Sequence, residues 1–191
     1  MYSSRENRFC QFSCGLLYFL RMNTNPTALF VGRFQPFHNG HLLVVQGMAK
    51  LCGKIIIAIG SSQESGTADN PWTGEQRKDM MQHALQGVDL IPLHDIVFIE
   101  VPDEKDDGSW AKRVLELAGP VEQVWTGNAH TKKCFEGMGV EIRNIKEVPG
   151  ISATDIRAKM KAKDESWKEK VPHEVVVVIK SKHEILHPTI S

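Results

Sequence analysis

Five times between residues 28 and 160 a short apolar run gives way to an amphipathic stretch, and no other feature constrains the fold as much. Ala28 to Val31 is apolar and ends at Gly32. From His41 to Leu51, Leu42, Val45, Met48 and Ala49 recur at helical spacing, closed by Gly53. Lys54 to Ile59 reads KIIIAI, a β-branched run that suits a strand buried on both faces. Thr73 and Gln76 form a capping box, predicting a helix to about Gln86. Ile96 to Val101 is the third strand, stopped by Pro102, and Ser109 to Ala118 a helix ended by Gly119-Pro120. Val121 to Thr126 is the fourth strand, with a short helix near Lys132 to Gly137. Val140 to Val148 is the fifth, after which Ser152 caps a last helix and Ile151 is placed as a hydrophobic staple. Strand–helix alternation of this kind implies a parallel sheet with helices on both faces, a doubly wound α/β domain. Ligands then bind beyond the carboxyl ends of the strands, which directs attention to loops 32–41, 60–73, 102–110, 126–130 and 149–157.

The 191 residues suffice for one domain, and 41% hydrophobic with 24% charged residues excludes disorder throughout. Lys and Arg total 23, as do Asp and Glu, so no basic excess supports a nucleic-acid partner. No apolar run reaches the length of about 18 residues that a membrane span needs. Cysteines at 10, 14, 52 and 134 form no CxxC pair, which points to reduced thiols and a cytoplasmic protein. Residues 1–26 mix Ser, Asn, Arg and Cys around one short apolar patch; they read as a poorly ordered extension, with the domain running over 27–191. At the other end, Val175 to Ile179 has strand propensity, although Pro172 can open a helix. The pattern leans to a strand; a docked C-terminal helix is the alternative.

The loop after the first strand reads Gly32-Arg33-Phe34-Gln35-Pro36-Phe37-His38-Asn39-Gly40-His41. A glycine at a strand end permits close ligand approach. A helix N-terminus carries free N–H groups suited to phosphate, two imidazoles add donors, and Arg33 adds a planar fork. Taken alone, two histidines at a helix start are more often plain surface residues; the whole ten-residue string is far more specific. A metal reading lacks an evident third ligand, so no metal ligands are assigned.

The whole ten-residue string resembles the G-x-F-x-P-x-H-x-G-H signature of the HxGH nucleotidyltransferase superfamily. Its Arg-Phe-Gln-Pro-Phe variant is similar to that of archaeal-type nicotinamide-nucleotide adenylyltransferases. Ile151-Ser152-Ala153-Thr154-Asp155-Ile156-Arg157 matches the superfamily's Ser-x-Thr-x-x-Arg element. Gly60-Ser61-Ser62-Gln63, Asn70-Pro71-Trp72-Thr73-Gly74-Glu75-Gln76-Arg77 and Trp125-Thr126-Gly127-Asn128 resemble three further elements; Gln76 stands where such proteins usually have Glu. Together they span roughly residues 28 to 180.

The resemblance implies a single Rossmann-like domain with a five-stranded parallel sheet and a C-terminal helical segment. It implies ATP and nicotinamide mononucleotide as substrates, Mg²⁺ carried with ATP, and NAD and pyrophosphate as products. Arg33, His38, His41 and Arg157 are the expected catalytic groups. Gly32, Phe34, Gly40, Asn128, Ser152 and Thr154 join them around ATP. Ser61, Asn70, Trp72, Asp103, Trp110 and Asn128 are expected around the mononucleotide, with Trp110 stacking on the cationic ring. Against each stands a plainer reading: Ser152 to Arg157 as an ordinary capped helix, Trp110 as a core aromatic, Asn128 as a turn residue. The resemblance also implies a homo-oligomer, with no interface legible in the sequence. Use of nicotinic acid mononucleotide stays open. The alternatives are a sister adenylyltransferase acting on phosphopantetheine or FMN, and a nucleotide-sensing module without catalysis. The run Asp103-Glu104-Lys105-Asp106-Asp107 is more acidic than such proteins usually carry before the tryptophan, and leaves the acceptor contacts open.

Overall fold

The computed structural model describes residues 25–91, 93–146 and 148–186. The expected disorder of residues 1–26 therefore falls almost entirely outside the described residues. Five strands form one parallel sheet: β1 (Thr27–Gly32), β2 (Lys54–Ile59), β3 (Asp95–Glu100), β4 (Gln123–Thr126) and β5 (Glu141–Asn144). Their order across the sheet is β3-β2-β1-β4-β5, so the winding reverses between β1 and β4. The helices are α1 (Asn39–Ala49), α2 (Gly74–Gln86), α3 (Asp107–Ala118), α4 (Ala129–Phe135), α5 (Ala153–Lys161) and α6 (His173–Leu186), with a 3₁₀ turn at Glu165–Lys170.

Strand alternation sorts the core into two layers. In β2, Ile55, Ile57 and Ile59 face Val45 and Met48 of α1 and Met80, Met81 and Leu85 of α2. Ile56 and Ala58 face the other way, toward Ala111 and Val114 of α3 and Phe135 of α4. A strand buried on both sides must be apolar at every position, which explains KIIIAI.

Two expectations need correction. Residues 175–179 are helical, inside α6, rather than a strand. Val175, Val176, Val178 and Ile179 are buried while Val177 is exposed, a helical stripe that packs beside α2. Burial against a helix overrides the β propensity of a valine run. The fifth strand is also shorter than expected, Glu141–Asn144 instead of Val140 to Val148, because it pairs only with the four residues of β4.

Candidate functional site

The reversal between β1 and β4 opens a crevice at the strand ends, where the first loop enters α1. The cap there is unusual. His38 is the N-cap, and its Nδ1 accepts the backbone N–H of His41 at 3.3 Å. The Nδ1 of His41 in turn accepts the backbone N–H of His38, also at 3.3 Å. Two imidazoles thus perform the exchange that Ser and Glu make in an ordinary capping box. Their rings stack with centroids 3.5 Å apart. Because each Nδ1 accepts, each neutral ring keeps its proton on Nε2. Burial pulls the His38 pKa down to about 4. Burial, and then the charge a protonated His38 would carry, hold His41 well below its usual range. At neutral pH the pair is uncharged and its Nε2–H groups are donors.

The loop supports this pair from below. Phe34, with φ of +52°, turns its ring into the core against Phe30, Phe37 and His41. A Cβ on Gly32 would come within 2.9 Å of that ring, and one on Gly40 within 3.1 Å of the His38 imidazole. Both glycines therefore make room for side chains of the loop itself. Phe34 is a buried support, its ring packed in the core.

Two cavities meet at this point. One, of about 300 Å³, is lined by His38, Gly40, His41 and Ser152. The other, of about 470 Å³, is lined by Arg33, Ser61, Asp103, Trp110 and His130. Val31, Gly32 and Asn128 line both, so the ends of β1 and β4 are their shared floor. Asn128 caps α4, its Oδ1 accepting from the N–H groups of His130 and Thr131. Ser152 caps α5 by accepting from the Asp155 N–H, and Ile156, where the staple expected from Ile151 would pack, is buried. The first residues of α5 thereby line the smaller cavity together with those of α1.

Arg157 does not line either cavity. Its guanidinium donates to the Gln35 carbonyl at 2.9 Å, to Asp69 at 3.3 Å and to the Thr154 hydroxyl at 3.4 Å. It ties α5 to the first loop. In the larger cavity, Asp103 accepts from the Ser61 hydroxyl at 2.9 Å and the Gln63 amide at 2.8 Å. Trp110 packs edge-on against Phe135, its ring centroid 5.9 Å away. Asn70 and Trp72, expected beside the acceptor, are absent from this lining. Trp72 is buried in the core, its backbone held by a reciprocal pair of bonds with the Gln35 amide.

One organising residue carried no role in the sequence reading. Arg77 is fully buried in α2 and donates to four backbone carbonyls: Arg33 and Gly60 at 2.8 Å, Ser61 at 3.0 Å and Thr73 at 3.2 Å. It gathers the loops after β1 and β2 onto the start of α2. The signal was present: Arg77 lies three and four residues before Met80 and Met81, on the apolar face of the helix.

The model of the cytidylyltransferase-like family matches residues 29–159. The chain belongs to that family. The nicotinamide-nucleotide adenylyltransferase of Ignicoccus hospitalis is 39% identical over 158 residues, covering 80% of this chain and 90% of that protein. The enzyme of the same name from Methanococcus aeolicus is 37% identical, with 80% and 87% covered. Within the family, then, the chain is one of the nicotinamide-nucleotide adenylyltransferases. Among solved structures, a bifunctional NMN adenylyltransferase/ADP ribose pyrophosphatase from Francisella tularensis, complexed with AMP and a manganese ion, superposes with a TM-score of 0.63 at 25% identity. That match covers 77% of this chain and 44% of the larger, bifunctional one.

Proposed function

We propose that the chain transfers the adenylyl group of ATP to nicotinamide mononucleotide, forming NAD and releasing pyrophosphate. The observation that carries the reading is the pair of cavities joined at Gly32 and Asn128, with the two-histidine cap on one side and Trp110 on the other. The smaller cavity takes the triphosphate. There the N-termini of α1 and α5 present N–H groups, and the Nε2–H groups of His38 and His41 add neutral donors. The larger takes the mononucleotide, with Trp110 against the ring and Arg33 toward its phosphate. An oxygen of that phosphate attacks the α-phosphorus in line across the shared floor, and pyrophosphate leaves toward the histidines. Negative charge grows on the leaving group, where preorganised donors lower the barrier most. Positioning supplies the remainder, so no nucleophile–base pair is required.

Arg157 acts from behind the loop, holding Gln35 and Thr154, and turns to phosphate if Asp69 yields it. Magnesium enters as the ATP complex. Among the described residues the lining of the smaller cavity contains no carboxylate, which fits an ion held by phosphate oxygens and water. Asp103, Glu104, Asp106 and Asp107 all line the larger cavity. That acidity favours the cationic nicotinamide ring with its neutral amide over the carboxylate of nicotinic acid mononucleotide. Two further proposals accompany the reading. Exposed Leu43, Leu51 and Leu93 give a homo-oligomer an apolar surface, which light scattering on the purified chain would test. Free Cys52 and Cys134 accord with a cytoplasmic setting, and no helix among the described residues is long and apolar enough to cross a membrane.

The test is pyrophosphate release from ATP and Mg²⁺ with nicotinamide mononucleotide, its nicotinic acid analogue, phosphopantetheine and FMN. Release is expected with the pyridine mononucleotides, at lower KM for the nicotinamide form. Release with another acceptor alone moves the acceptor assignment. Silence across the panel, with ATP still bound, favours a nucleotide sensor.

A further inference from the structure

We propose that Asp107, His130 and Cys134 form a binding site for a zinc-like divalent cation at the rim of the larger cavity. His130 and Cys134 are four residues apart on α4 and so share one face of the helix. Asp107 opens α3, and its Oδ1 lies 3.2 Å from the His130 Nε2. The ligand atoms of all three side chains lie within 4.8 Å of one another. Metal bonds of roughly 2.0–2.3 Å at tetrahedral angles place ligands about 3.5 Å apart, so small rotations complete the site. Among the described residues no other group of three such ligands comes together.

The donor set selects the ion. An imidazole, a thiolate and a carboxylate suit zinc or cobalt; a hard ion such as magnesium prefers oxygen throughout. Cys134 is buried beneath the other two, while Asp107 and His130 line the cavity. The fourth coordination position therefore opens toward the cavity. The Cys134 Sγ presently donates to the His130 carbonyl at 3.2 Å, and a metal replaces that proton. Bound, the ion joins α3, which carries Trp110, to α4, whose Phe135 ring packs edge-on against Trp110 next to Cys134. The site is independent of the ion that accompanies ATP, because its ligands lie outside the smaller cavity.

The test is a Co²⁺ titration of the reduced, chelator-treated full chain without nucleotide, followed by optical absorption and then zinc displacement. One ion per chain is expected, with a thiolate-to-cobalt charge-transfer band that zinc abolishes. Cys134→Ser should remove the band. His130→Ala and Asp107→Asn, both exposed changes whose folding circular dichroism can check, should weaken binding by more than about tenfold. The band should survive Cys52→Ala and the double change Cys10→Ser, Cys14→Ser. A band that persists in Cys134→Ser overturns the proposal. So does one that disappears with the other cysteines, or no band in the wild-type chain.

Discussion

The two sides of the crevice are built differently. On the side proposed for the triphosphate, His38 is only 9% exposed and each histidine is held by the other's backbone. Helix start, ring stacking and aromatic floor all set the same geometry. On the acceptor side, the segment from Asp103 to Asp107 is mostly exposed, and the Asp107 and His130 side chains keep 66% and 69% of their accessible surface. Its shape depends on bonds between side chains, such as those from Ser61 and Gln63 to Asp103. The chemistry of a triphosphate is served by donors that do not move, because reorganisation during reaction raises the barrier. Recognition of an acceptor tolerates a softer wall, since it needs only differential affinity.

That contrast makes unequal predictions. The largest effect is expected from His41→Ala, a loss of about 10²–10³-fold in kcat, read by pyrophosphate release with folding checked by circular dichroism. A loss no greater than that of Trp110→Ala would erase the distinction between the two sides. Next comes Arg77→Ala, which empties a fully buried side-chain site and removes bonds to four backbone carbonyls, that of Gly60 buried, and should cost about 3 kcal/mol in urea unfolding. Arg77→Lys should recover part of it, since one ammonium reaches fewer carbonyls.

The histidine pair also predicts an acid-sensitive fold. Unfolded, His38 binds a proton near pH 6.5; folded, only near pH 4. The unfolded chain therefore gains protons first as pH falls, and stability drops through that window. Thermal melts should show Tm falling from pH 7 to about 4, less steeply in His38→Asn, which keeps a capping side chain. Asp164, pulled down to about 2 by hydrogen bonds from Ser166 and Lys159, contributes only below that range.

On the acceptor side the effects are smaller. Trp110→Ala should raise KM for the mononucleotide roughly tenfold and leave that for ATP nearly unchanged. Equal changes in both would remove Trp110 from the acceptor wall. Smallest is Asp69→Ala, which breaks an ion pair with one exposed partner and should move stability by less than about 0.5 kcal/mol.

Much of this was legible before any coordinates. The two histidines stand out because they lie three residues apart at an expected helix start, in a string that resembles the superfamily signature; that they cap the helix for each other shows only in the structure. The helix itself begins at Asn39, two residues before the expected His41, since periodicity marks only the apolar positions and the cap lies outside them. Trp72, an aromatic in a strand-end loop and so expected at a ligand wall, is buried in the core, with its backbone held by the Gln35 amide. Arg77 enters the sequence analysis only as the end of a family-like element, because its carbonyl partners lie on distant loops that no local pattern brings together.

Alone, the sequence determined the alternation, the caps at Thr73 and Ser152 and hence the doubly wound sheet with its candidate site at the strand ends. These follow from interactions between residues a few positions apart, which repeat with the period of helix or strand. Only the tertiary structure decided that residues 175–179 are helical, that Arg77 gathers two loops, and that Asp107 meets His130 and Cys134. Each of those depends on which distant segments share a buried space, and no local period encodes that.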